Sequence, residues 1–256
     1  METKMDTTSF EGYKSASQKI RKITEYWMSQ NMYCPFCGCP KIEKFENNRP
    51  AADFFCPHCH EEYELKSKAG TMGSQVMDGA YQTLISRISS YNNPNFFFLG
   101  YEQKTWIVRA LTMVPKYFFL PDIIIKRKPL ADTARRHGWT GCNILYSAIP
   151  ERGKICIIKD GHIVQPKEVI KQVKEIRFIS RYGLKQRGWV LETLKCIDQI
   201  PRQEFTLEEI YQFIPELEKK YPDNHHIRAK LRQQLQILRD KGIIQFQGDG
   251  HYRKLN

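Results

Sequence analysis

Asp53, Glu64 and Lys66 follow one another in the order Asp, then Glu-x-Lys. If residues 63–67 run as a strand, the two-residue period puts Glu64 and Lys66 on one face and turns Leu65 to the opposite, core side. Two carboxylates aimed at one point bind a hard divalent cation such as Mg²⁺ through oxygen. A lysine beside them can hold or deprotonate an attacking water and steady the charge on a phosphorane. Asp53 and Glu64 are therefore the candidate Mg²⁺ ligands, and Asp53, Glu64 and Lys66 the candidate catalytic group, with Arg49-Pro50 just upstream. A solvated strand edge with alternating charges has the same spacing, so the neighbouring residues must decide.

Those neighbours include Cys34-x2-Cys37-x18-Cys56-x2-Cys59. Paired cysteines at this spacing sit at the tips of two tight turns and close a tetrahedron around a structural Zn²⁺. Four thiolates leave no open position for a substrate, so this metal would hold structure and not react. Cys56 and Cys59 lie between Asp53 and Glu64, so it would also tie down their connection. Cys39, His58 or His60 could replace one of the four. Cys142, Cys156 and Cys196 stand among apolar neighbours and read as reduced core residues. A chain of 256 residues is too long for a secreted disulfide scaffold.

The elements that must carry these residues form an α/β domain expected to end near residue 180. Residues 15–30 read as a helix with Ile20, Ile23, Trp27 and Met28 at helical spacing and Ser15 or Ser17 as cap. Two strands around the metal knuckle fill residues 33–68. A second helix is expected over residues 75–90, then strands at 95–101, 106–114 and 154–158. The aromatics Phe96–Phe98 and Tyr101 read as core. A loop broken by Pro129 and Gly138 carries Lys126, Arg127 and Lys128, then Arg135 and Arg136 beside Trp139. Arg135, Arg136 and Trp139 are candidate DNA contacts, although Trp139 taken by itself reads more readily as a core tryptophan.

From residue 181 to 256 the pattern becomes helices at 189–200, 207–213 and 224–241, then a hairpin turning at Gly248-Asp249-Gly250: the winged-helix order. Ile227, Leu231, Leu235 and Leu238 form one apolar stripe on the last helix. Arg228, Arg232, Gln233, Gln236 and Arg239 fall on its other faces as candidate DNA contacts. Residues 227–256 carry a net charge of +5 and residues 181–226 a net charge of −1. Basic charge gathers where a recognition helix and wing would meet phosphates.

The whole chain carries 40 Lys and Arg against 28 Asp and Glu, a net charge of +12, which calls for a polyanionic partner. Apolar runs such as residues 95–100 are strand-sized, far short of the roughly 20 residues of a membrane span. Residues 1–13 lack a basic region followed by an apolar one. A cytoplasmic protein that binds nucleic acid and no membrane is the expectation.

The stretches 45–59, 61–68, 92–101, 127–144, 188–200 and 231–241 closely resemble the DpnI-type methyl-directed (type IIM) restriction endonucleases. The resemblance implies a PD-(D/E)xK nuclease domain with an embedded four-cysteine zinc site, followed by a small winged-helix domain. It also implies cleavage of double-stranded DNA at GATC sites carrying N6-methyladenine, with Mg²⁺ at the catalytic residues and Zn²⁺ on the cysteines. Asp53, Glu64 and Lys66 fall on the family's catalytic motif, and Cys34, Cys37, Cys56 and Cys59 on its zinc ligands. A single active site per chain fits a monomer in solution that nicks the strands in turn or pairs transiently on DNA. The residues alone leave two other readings: a methyl-DNA-binding regulator without catalysis, and a nuclease of the same fold indifferent to methylation.

Overall fold

Residues Ala16–Asn31 form helix α1, which starts at Ser15, whose hydroxyl accepts from the backbone N–H of Gln18. Its buried face carries Ile23, Trp27 and Met28, and also Thr24 and Glu25. The computed structural model describes residues 1–10, 12–13, 15–46, 52–90 and 93–255; Arg49-Pro50 lies outside them. The chain divides into two units, Met1–Ile149 with Gly153–Lys174, and Pro150–Arg152 with Glu175–Asn256.

In the first unit α1 is followed by β1 (Glu43–Lys44), β2 (Phe54–Phe55), β3 (Glu62–Ala69), β4 (Gln75–Ala80), α2 (Tyr81–Ile88), β5 (Asn95–Glu102) and β6 (Ile107–Val114). Then come β7 (Ile124–Lys126), β8 (Gly141–Leu145), β9 (Ile155–Lys159), β10 (His162–Ile163) and α3 (Pro166–Ile176). Among the described residues seven strands make the main sheet, in the order β1-β2-β3-β5-β6-β9-β10. Its β3–β5 pair is parallel, with Glu64 opposite Phe96 and Lys66 opposite Phe98. Asn95–Tyr101 is buried throughout. A central strand covered on both faces reads as a continuous apolar run, which is why the phenylalanines are core.

The segment 75–90 departs from expectation. Only Tyr81–Ile88 is helical, while Gln75–Ala80 is a strand of a second sheet, β4-β8-β7. Its hydrogen-bond partner, β8, lies more than 60 residues downstream, and pairing with a distant strand outweighs local helical spacing. The strand contains a bulge, since Asp78 pairs with Cys142 but Ala80 with Gly141, leaving Gly79 as the extra residue. Leu65 also departs from the two-face expectation: it is half-buried, not core.

The second unit contains α4 (Leu184–Gln199), β11 (Glu204–Thr206), α5 (Leu207–Tyr211), α6 (Ile214–Lys220), α7 (Ile227–Asp240), β12 (Ile244–Gly248) and β13 (His251–Lys254). The single helix expected at 207–213 is a short α5 followed by a separate α6. Thr206 caps α5 with a reciprocal Thr206–Glu209 box, and Pro215 stands at the first turn of α6. A proline there loses no helical hydrogen bond but cannot continue an earlier helix. The strands pair in the order β11-β13-β12. At the hairpin tip Gly248, Asp249 and Gly250 all have positive φ, at 99°, 46° and 75°, a conformation that favours glycine. The stripe Ile227, Leu231, Leu235 and Leu238 is buried. Among the described residues no helix is long and apolar enough to cross a membrane.

Candidate active site and cysteine cluster

Asp53 immediately precedes β2. Its backbone N–H donates to the carbonyl of Tyr63 (2.8 Å), and its Oδ2 accepts from the backbone N–H of Leu65 (2.8 Å). β2 covers β3 only at Tyr63 and Glu62, which leaves the next N–H along β3 for the Asp53 carboxylate. One residue to either side, Glu64 and Lys66 emerge together, with Lys66 Nζ 2.5 Å from Glu64 Oε1. The three residues singled out by their spacing thus meet in one cleft of about 300 Å³, lined also by Arg21, Thr24, Glu25 and Asp78.

Sequence reasoning missed the last of these and two others. Lys66 Nζ pairs with Asp78 on β4 as well as with Glu64. From α1, Arg21 reaches Asp53 Oδ1 at 3.4 Å and pairs with Glu25, which Lys44 also meets at 2.6 Å. An i, i+4 pair such as Arg21 and Glu25 was visible in the sequence. The burial of Glu25 was not.

Burial pushes the Glu64 carboxyl up to about 7 against the opposing pull of Lys66, and it raises Asp53 as well, against the Leu65 hydrogen bond. Lys66 stays firmly protonated: Glu64 and Asp78 outweigh the cost of burying its ammonium. The lining holds four carboxylates, Glu25, Asp53, Glu64 and Asp78, against two cations, Arg21 and Lys66. Even with Lys44 on Glu25 the carboxylates outnumber the cations, and desolvated oxygen donors with excess negative charge fit a hard divalent cation. Among them Asp53 and Glu64 are the candidate ligands.

The Sγ atoms of Cys34, Cys37, Cys56 and Cys59 lie within 4.8 Å of one another. Cys34 is 3.5 Å from Cys59, and Cys37 is 3.6 Å from Cys56. A tetrahedron of thiolates around Zn²⁺ has edges of roughly 3.8 Å, so the cluster fits the ion. Among the described residues neither histidine joins this group, and the Cys39 thiol turns instead to the Lys41 carbonyl. The Tyr63 hydroxyl stands 3.0 Å from Cys34 Sγ, placed to donate to a metal-bound thiolate as outer-shell partners do. Tyr63 immediately precedes Glu64, so the cluster and the cleft share one strand. Cys142 and Cys196 are buried and free; Cys156, expected in the core, is half-buried.

The basic loop is closed by its own backbone: Leu130 N–H donates to the Trp139 carbonyl and Gly138 N–H to the Leu130 carbonyl. Trp139 is half-buried, with the Arg136 guanidinium 4.7 Å from its ring centroid, while Arg135 and Arg136 are exposed. On α7, Arg228, Arg232, Gln233, Gln236 and Arg239 are all exposed. Arg228 and Arg232 stack on Tyr211 at 4.6 and 5.7 Å, and Gln233 accepts from Lys230 Nζ at 2.8 Å. Gln234, one place along, is wholly buried.

Comparison with known families gives two matches that together span nearly the whole chain. Residues 1–182 match the family described as DpnI, Dam-replacing family, and residues 185–254 match DpnI_C, Dam-replacing HTH domain.

Proposed function

We propose, from the fact that this chain belongs to the DpnI, Dam-replacing family of restriction enzymes, that it is a Mg²⁺-dependent type IIM endonuclease. It would cut double-stranded DNA at GATC sites carrying N6-methyladenine. The observation that carries this reading is the meeting of Asp53, Glu64 and Lys66 in one cleft. A PD-(D/E)xK nuclease fold is the reading that suits this arrangement. Asp53 and Glu64 would hold the cation, which supplies Lewis-acid stabilisation of the scissile phosphate. Lys66 would orient the attacking water with its ammonium. The Leu65 N–H holds the Asp53 carboxylate against β3. Cys34, Cys37, Cys56 and Cys59 would hold a structural Zn²⁺ that fixes the segment joining Asp53 to β3.

DNA affinity would come from Arg135, Arg136 and Trp139 in the first domain, placed at residues 1–180. Arg228, Arg232, Gln233, Gln236 and Arg239 would serve in the winged helix, placed at 181–256. Glutamine is a natural partner of adenine in the major groove. Burial of one methyl group gives about 0.8 kcal/mol, roughly a four-fold preference. Sharp discrimination therefore needs both methyl groups of the site, read in more than one domain. The protein would act as a monomer in the cytoplasm.

Digestion of one plasmid, prepared with and without adenine methylation, tests the proposal. Mg²⁺-dependent cutting of the methylated plasmid alone is expected. Binding without cutting would leave a methyl-DNA-binding regulator, and equal cutting of both preparations would leave a methylation-indifferent nuclease.

A further inference from the structure

Asp78 occupies a place that the catalytic trio does not explain. It lies on β4, in the second sheet, and points into the cleft that Glu64 and Lys66 enter from β3. The bulge at Gly79 sits immediately after it, and bulges next to functional sites re-aim side chains. One oxygen, Oδ1, accepts from Lys66 Nζ and from the Gly79 N–H at 2.5 Å. The other, Oδ2, is buried and has no hydrogen-bond partner among the described residues. The side chain is only 5% exposed, so water does not compensate for its charge.

Lys66 is the group that needs this carboxylate. Its side chain is 15% exposed, and its ammonium pairs with Glu64 and Asp78. A cation held by Glu64 competes directly with that pairing, and an ammonium that loses half of its compensation in a desolvated site moves away. We infer that Asp78 is a positioning residue for Lys66, keeping its ammonium in the cleft once Glu64 turns to the metal ion. The inference rests on the catalytic reading given above. Asp78 acts through Lys66 and touches no reacting atom. Its unpartnered Oδ2 gives it the spare acceptor capacity to hold the ammonium after Glu64 has let go.

The test uses the full-length protein and a fully methylated duplex. It measures the single-turnover cleavage rate as a function of Mg²⁺, together with DNA affinity, zinc content and thermal stability. Asp78→Asn should lower the rate at saturating Mg²⁺ by about 10- to 100-fold, the scale of a catalytic group misplaced by an ångström. Half-saturating Mg²⁺ and DNA affinity should stay within about three-fold. Asp78→Glu, which keeps the charge, should recover part of the loss. An unchanged rate for Asp78→Asn overturns the inference. So does a rate that excess Mg²⁺ restores, which would make Asp78 a metal ligand instead. If Asp78→Asn loses zinc or melts early, Asp78→Ser is measured by the same criteria. Lys66→Ala separates the two levels: full activity in that variant overturns the catalytic reading itself, whereas an inactive Lys66→Ala beside an unimpaired Asp78→Asn overturns only the role of Asp78.

Discussion

The cleft beside β3 and the outer face of α7 both gather charged and polar side chains, in opposite ways. In the cleft Glu25, Glu64, Lys66 and Asp78 are largely hidden from water, with Glu64 and Asp78 paired to Lys66 and Glu25 paired to Arg21 and Lys44. On α7 Arg228, Arg232, Gln233, Gln236 and Arg239 stand in solvent along one helix. A buried network depends on every member, because removing one leaves its partner uncompensated in a poorly solvated place. An exposed set contributes in small, nearly independent, salt-screened steps. The first arrangement suits chemistry and the second suits graded affinity for a polyanion.

The largest effect expected from this contrast is on catalysis. Lys66→Ala or Asp53→Ala should lower Mg²⁺-dependent cleavage by about 100- to 10,000-fold, while DNA binding stays within about ten-fold because the groups proposed to bind phosphate are other residues. Gel-based cleavage and fluorescence anisotropy on the same preparations measure both. A variant that still cuts DNA at near the parent rate would remove the catalytic assignment. The next effect is on folding. The metal's binding energy is also folding energy, so Cys56→Ser should lose zinc, melt at a lower temperature and lose activity together. Elemental analysis and a thermal melt check this, and an active parent protein that contains no zinc would break the link between the cluster and the cleft.

The smallest effect belongs to α7. Arg228→Ala, Arg232→Ala and Arg239→Ala should each weaken DNA binding by only a few-fold. Each should also flatten the dependence of log affinity on log salt by about 0.9 for every phosphate that the protein no longer neutralises. Titrations at three salt concentrations read this slope. A loss of activity as large as that of Lys66→Ala would show that α7 is no graded electrostatic surface and would erase the contrast.

Some of the molecule was legible because the information is local. The two Cys-x-x-Cys pairs, the two-residue step from Glu64 to Lys66, and the stripe Ile227, Leu231, Leu235 and Leu238 each depend on spacing along one short segment. The cysteines accordingly cluster and the stripe is buried. The family resemblance extended that reading to both halves of the chain, and both halves match.

What only the tertiary structure decided is which charges face one another. Asp78 was hidden inside an expected helix, because β4 exists through pairing with β8, whose residues lie far along the chain. Glu25 drew no notice in the sequence, since nothing in α1 indicates that Lys44 will cover it. The Cys39 thiol was excluded from the cluster by the direction its turn gives it, toward the Lys41 carbonyl. A sequence records which side chains can ionise or bind metal, and its periodicity tells which of them share a face. The partner of a buried charge comes from another element, so it is fixed only when the sheets pair and water is excluded.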